Sequence, residues 1–211
     1  MDFSEQLQRF LPADVPNREN LVRLGARHLE LIVEANQQFN LTRIVGPVEA
    51  AIKHTVDSVM PWKLLQHPAG GIIVDAGSGA GFPGIPLAIA LPKIRFVLLE
   101  SIQKKARFLT STVAALELAN VTVLPERAED WLKKNRAGIV TARAVAPLVR
   151  ALPLFDPALK RGSRLILYKG PDIEAEITEL PPRARSRVKV LERYTLPEEM
   201  GSRTLVEVLP G

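Results

Sequence analysis

An acid followed by glycines at every second position, Asp75-Ala76-Gly77-Ser78-Gly79-Ala80-Gly81, stands directly behind the apolar run Ile72-Ile73-Val74. This is the arrangement in the chain best suited to cradle a nucleotide-type ligand. Glycines let the backbone take positive φ and let a ligand approach where no side chain intervenes, and Pro83 suits the opening turn of a helix near Gly84. The spacing argues against a dinucleotide. In a G-x-G-x-x-G register starting at the strand end, the third glycine falls on Phe82. A shifted match through Gly79, Gly81 and Gly84 begins too far past the strand for its first glycine to make the tight turn.

Ligands of open α/β sheets lie outside the carboxyl ends of the strands, so the residues closing the other apolar runs are the next candidates. Glu100 closes the run Arg95–Leu99, about 20 residues past the loop, where an acid accepts hydrogen bonds from ribose hydroxyls. Behind the run 121–124 come Ala128 and Glu129, whose backbone and carboxylate could read an adenine edge; the same acid at a helix start is also stabilised by the helix dipole alone. Arg143 lies in an alanine-rich stretch, and a buried arginine needs an anion. That anion is either Asp75 or Glu129, in a structural role, or a ligand. Lys169 closes the last run of the series and, with Arg143, could hold a nucleotide phosphate or a guanine oxygen. Farther upstream, His54 and Asp57-Ser58 could face the same cleft, although a histidine beside Ile52 and Val56 also fits a hydrogen-bonded core position.

The elements that must position these residues follow from periodicity. Leu21, Leu24, Leu31 and Ala35 mark a long helix over 20–40, with a short one before it and another opened by Pro47. His67-Pro68-Ala69-Gly70-Gly71 is turn chemistry and marks a boundary between a helical extension, 1–68, and a main domain, 69–211. Beyond it strands are expected at 72–75, 95–100, 121–124, 138–142 and 164–168. Helices are expected at 84–91, 104–118, 129–134 and 146–159. Strands interleaved with helices predict an α/β fold with a mostly parallel, doubly wound sheet. Two late strands, 188–196 and 204–209, follow a proline-rich break at Pro181-Pro182 and add an antiparallel edge.

At 211 residues the chain can bury a sizeable core, and 28 Lys+Arg against 23 Asp+Glu give a net charge of +5. That balance favours a polyanionic partner. The cations cluster at Lys104-Lys105-Arg107, Lys133-Lys134-Arg136, Lys160-Arg161-Arg164 and Arg183–Lys189, and together the clusters favour nucleic acid. With no cysteine, thiolate nucleophiles and disulfides are excluded. Three histidines without an i, i+4 pair predict no metal site. No apolar run reaches a membrane span, and the first residues lack the pattern of a secretion signal, so a cytoplasmic protein is expected. Nothing resembles a dimerisation seam, and a monomer is expected.

Asp75-x-Gly77-x-Gly79-x-Gly81 resembles the first motif of Rossmann-like, class I S-adenosylmethionine methyltransferases, which implies that cofactor. For a methyl acceptor the remaining residues are restrictive. Carbon 5 of a pyrimidine needs a thiolate, and exocyclic amines are usually served by an Asp/Asn-Pro-Pro-aromatic sequence where this chain has Arg143. A ribose 2′-hydroxyl needs a lysine and an acid; Lys169 fills one slot and the fourth strand supplies no acid. Guanine N7 carries a lone pair and no proton, so it needs placement rather than a base. Phe39-Asn40-Leu41-Thr42, His54-x-x-Asp57-Ser58, the extended glycine motif through Leu87, Arg127-Ala128-Glu129 and Arg143-Ala144 closely resemble the bacterial 16S ribosomal RNA guanine-N7 methyltransferase family (RsmG, glucose-inhibited division protein B). The resemblance implies a guanine of the 530 loop as substrate, guanine 527 in the RNA's own numbering, as naked RNA or within the small ribosomal subunit. It also implies cofactor contacts at Gly77, Phe82, Ala128, Glu129 and Arg143, with Glu100 at the ribose. Competing readings are a 2′-O-methyltransferase that depends on Lys169, a non-enzymatic RNA-binding module and a nicotinamide reductase.

Overall fold

The computed structural model describes residues 2–144 and 146–210. Among them, seven strands form one sheet in the order β3-β2-β1-β4-β5-β7-β6. The strands are β1 (Ile72–Ala76), β2 (Arg95–Leu99), β3 (Val121–Leu124), β4 (Ile139–Arg143), β5 (Arg164–Lys169), β6 (Val188–Thr195) and β7 (Ser202–Val208). The first five pair in parallel. β7 pairs antiparallel with both β5 and β6, so the one reversed strand lies a place inside the edge and β6 forms the edge itself. The chain changes direction of winding between β1 and β4, which puts a crevice at their carboxyl ends.

Alternation along β1 decides what each face packs. Ile73 points to the side covered by α1 (Phe3–Phe10), α2 (Arg18–Asn36), α5 (Gly84–Ala90) and α6 (Gln103–Ala115), where Leu7, Leu21, Leu29, Ile85 and Phe96 are buried together. Val74 and Ala76 point to the other side, against Leu132 of α7 (Ala128–Lys134) and Leu148, Ala151 and Phe155 of α8 (Leu148–Lys160). The helical segment expected before residue 68 therefore packs into the same apolar layer as α5, not on a core of its own.

Between α2 and β1 the chain forms α3 (Pro47–Ala50), a π-helical turn at Ala51–Val56, and α4 (Asp57–Val59). After β5 come α9 (Ile173–Thr178) and α10 (Pro182–Arg185), two short helices that periodicity does not reveal. Pro182 occupies the first turn of α10, where its missing N–H costs nothing, so the predicted break is a helix start.

Candidate functional site

The loop leaving β1 is held from inside. The Asp75 carboxylate is fully buried, and one of its oxygens accepts the Gly84 N–H at 3.0 Å. Burial pushes its pKa up to about 6, against the opposing pull of Ser78, Gly84, Arg143 and Thr141. Asp75 thus shapes the cradle from beneath. Gly77 and Gly81, both at positive φ, do different work. A Cβ on Gly77 (φ +74°) would meet nothing within 4 Å and would project into open space. One on Gly81 (φ +101°) would lie 2.6 Å from Ile85 Cδ1 and 3.0 Å from His28 Nε2. Gly77 leaves open space beside the loop, and Gly81 lets the loop close onto the helices below.

Gly77, Glu100, Ala128 and Glu129 line one pocket of about 170 Å³ at the ends of β1 to β3, together with Arg127 and Phe155. Glu100, expected at the ribose, braces the loop. Its Oε2 accepts the Gly79 N–H at 3.0 Å and its Oε1 the Ile102 N–H at 2.7 Å. Glu129 lies in the first turn of α7, 3.6 Å from Arg127. Phe82 is buried beneath the loop, stacked on His54 at 4.4 Å between centroids, near His28 at 4.7 Å and under the Arg143 guanidinium at 5.2 Å.

A second pocket, of about 350 Å³, opens at the ends of β4 and β5, lined by Lys53, His54, Asp57, Arg143, Lys169 and Arg203 among others. The anion that answers Arg143 is neither Asp75 nor Glu129. It is Asp57, at 3.5 Å and 1% exposed. Asp57 also accepts from Arg203 Nε at 3.2 Å and from the Tyr194 hydroxyl at 2.8 Å. The π-helical turn contributes as well: i→i+5 pairing re-aims a backbone carbonyl, and the carbonyl of Lys53 accepts from Arg143 at 2.9 Å. Lys169 is not a free cation; it meets Glu176 of α9 at 2.7 Å and the Ala146 carbonyl at 3.2 Å.

His54 Nε2–H faces the Ile44 carbonyl at 3.2 Å and the Thr42 hydroxyl at 3.3 Å. Burial, then the neighbouring Arg143 charge, pushes its pKa down to about 3, so the ring is neutral and a poor base. Arg203, Tyr194 and Glu176 carry no signal in the sequence, because each acquires its role only through pairing with residues far along the chain. Asp57 and Arg203 are 146 residues apart.

A glycine cradle after β1, at the point where the sheet reverses its winding against β4, with an acid just past β2, is the fold and site of a class I S-adenosylmethionine-dependent methyltransferase. The cradle fits that cofactor, since the open space beside Gly77 adjoins Glu100 and the start of α7. The profile of the rRNA small subunit methyltransferase G family matches residues 23–205, and the chain belongs to that family. It is 61% identical over 211 residues to the ribosomal RNA small subunit methyltransferase G of Solibacter usitatus, covering 99% of this chain and 100% of that one. The protein of the same name from Carboxydothermus hydrogenoformans is 36% identical over 194 residues, covering 88% and 81%. Among solved structures, the O-methyltransferase from Bacillus cereus in complex with SAH shares the fold, with a TM-score of 0.57, 20% identity and coverage of 86% and 90%.

Proposed function

We propose that this chain transfers a methyl group from S-adenosylmethionine to N7 of a guanine in the 530 loop of 16S ribosomal RNA, guanine 527 in the RNA's own numbering. The observation that carries the choice of atom is the condition of the titratable groups in the second pocket. Asp57 accepts from three donors, His54 is held neutral with little basicity, and Lys169 is paired with Glu176. Among the described residues of that pocket none is free to take a proton. Acceptors that must lose one, such as a ribose hydroxyl, are poorly served, whereas guanine N7 attacks with a lone pair it already has.

The division of labour follows from the two pockets. When bound, the cofactor supplies an electrophilic methyl group on a sulfonium. Gly77 leaves room for it, Glu100 and the start of α7 fix its nucleoside end, and Asp75 holds the loop in shape. Arg143 and Lys169, each oriented by a carboxylate, present N–H groups to the guanine O6 or to an adjoining phosphate. Catalysis is then chiefly placement of N7 in line with the methyl carbon. The test is transfer of labelled methyl from S-adenosylmethionine to unmodified small-subunit RNA and to isolated subunits, with the product mapped. A single 7-methylguanine in the 530 loop is expected; label on a ribose oxygen or on another base overturns the proposal.

A further inference from the structure

Four basic clusters stand out in the sequence, and the sheet separates them. β1 to β5 share one direction, and β6, antiparallel to the reversed β7, shares it too. Lys133–Arg136 lead into β4, Lys160–Arg164 into β5 and Arg183–Lys189 into β6. These three clusters therefore lie at the amino-terminal edge, opposite the cleft. Much of their charge is committed there. Arg161 donates to the Leu132, Lys133 and Asn135 carbonyls, Arg185 to Thr178 and Leu180, and Arg187 to Leu209, while Arg164 pairs with Glu207.

Only Lys104–Arg107 sits at the carboxyl edge, in the opening turns of α6 just past Glu100. Lys104 and Arg107 are exposed, and among the described residues neither meets a carboxylate within 4 Å. They rim a groove of about 610 Å³ between α6 and the end of α2, floored by Phe39, Phe108, Leu31 and Ala35. Lys104 Nζ rests 5.4 Å from the centre of the Phe39 ring. Glu34, the one acid lining the groove, is paired with Arg27 at 2.9 Å. The chain after α2 runs from Phe39 in the groove to Ile44 in the lining of the second pocket. There the Asn36 side chain holds the Leu41 and Thr42 backbones, and Thr42 meets His54 in the wall of the second pocket.

Unpaired cations at the rim of an aromatic floor are the combination that takes single-stranded nucleic acid, phosphates on the charges and a base on a ring. We infer that this groove holds a single-stranded RNA segment adjoining the methylated guanine, with Lys104 and Arg107 on its phosphates and a base against Phe39 or Phe108. The inference rests on the proposed RNA substrate and adds where that RNA runs.

The test measures affinity of the full chain for small-subunit RNA carrying the target loop, from 50 to 200 mM salt, with cofactor affinity measured in parallel. The variants are Lys104→Ala/Arg107→Ala and, at the opposite edge, Lys134→Ala/Lys189→Ala. Loss of two single-strand phosphate contacts should lower the slope of log K against log salt by about 1.4 and weaken binding roughly tenfold, with cofactor affinity unchanged. The opposite-edge pair should keep the wild-type slope. Phe39→Leu, which keeps apolar volume and loses the stacking face, and Phe108→Leu should between them weaken RNA binding, with Tyr restoring it at the affected position. A wild-type slope for Lys104→Ala/Arg107→Ala, or an equal fall from the opposite-edge pair, overturns the groove. So does Lys104→Ala/Arg107→Ala losing affinity for the intact subunit, measured alongside, while keeping it for the RNA, because a ribosomal protein would then occupy the groove. Product mapping with the wild-type chain judges the N7 reading separately, so the two can fail independently.

Discussion

Alanine at Gly77 and alanine at Gly81 should injure this protein in opposite ways, although the two glycines are four residues apart in one loop. Gly77 has φ +74° and open space where a Cβ would stand. The left-handed backbone costs an alanine about 1–2 kcal/mol, and the stiffer unfolded chain returns about 0.4–1. Gly77→Ala should therefore lose about 1 kcal/mol, a fall in Tm of roughly 2–4 °C for a domain of this size. With the cofactor in that space as proposed, the added methyl group should lower its affinity about a hundredfold or more, roughly 2.7 kcal/mol. Gly81→Ala carries the same backbone cost, and its Cβ arrives 2.6 Å from Ile85 Cδ1 and 3.0 Å from His28 Nε2. His28 is pinned by its bond to the Ala80 carbonyl at 2.8 Å and cannot retreat cheaply. Overpacking adds about 1–3 kcal/mol, for a total of about 2–4 and a Tm lower by roughly 5–15 °C. Calorimetric titration with S-adenosylmethionine and thermal melts of both variants give the answer. Wild-type cofactor affinity in Gly77→Ala would refute the assignment of the open face of the loop to the cofactor.

Asp75→Asn keeps an oxygen for the Gly84 N–H and removes the buried charge. The folded pKa of about 6 lies above the ordinary 3.8, so the wild-type contribution is fully present below about pH 4 and is lost as pH rises through 6. Urea unfolding should show the wild type losing about 3 kcal/mol relative to the variant between pH 3 and pH 7; a pH-independent difference counts against a raised pKa. Asp57→Asn leaves Arg143 and Arg203 without their counter-charge. A loss of about 2–3 kcal/mol is expected by denaturant unfolding, below the full cost of a broken buried pair because both guanidinium groups reach solvent. Lys169→Met should cut turnover about tenfold or more at saturating RNA, with cofactor affinity within twofold of wild type; unchanged turnover removes Lys169 from the substrate pocket.

The parallel half of the fold was legible because strands such as Val121–Leu124 are short apolar runs bounded by turn residues, and the structure keeps those bounds. α9 escaped because it is short and acidic, with Ile173 its one buried residue. The π-helical turn escaped because one extra residue per turn leaves its apolar spacing compatible with an ordinary helix. At the site, types were readable and partners were not. An arginine among alanines announces that it needs an anion, but only packing names Asp57 rather than Asp75 or Glu129. The same limit hid Glu176 opposite Lys169. The four basic clusters looked equivalent along the sequence, and the direction of the strands makes them unequal.

The ties of Asp57 to Arg143, Tyr194 and Arg203 impose an order on the birth of the second pocket. A ribosome making this chain releases Asp57 146 residues before Arg203, so the carboxylate waits for that counter-charge while the five parallel strands are made. Until β7 pairs beside β5, a nascent chain that carries the whole glycine loop still lacks the Arg203 wall of the second pocket. The second pocket is therefore complete only when β6 and β7 are in place, long after every residue of the glycine loop has been made.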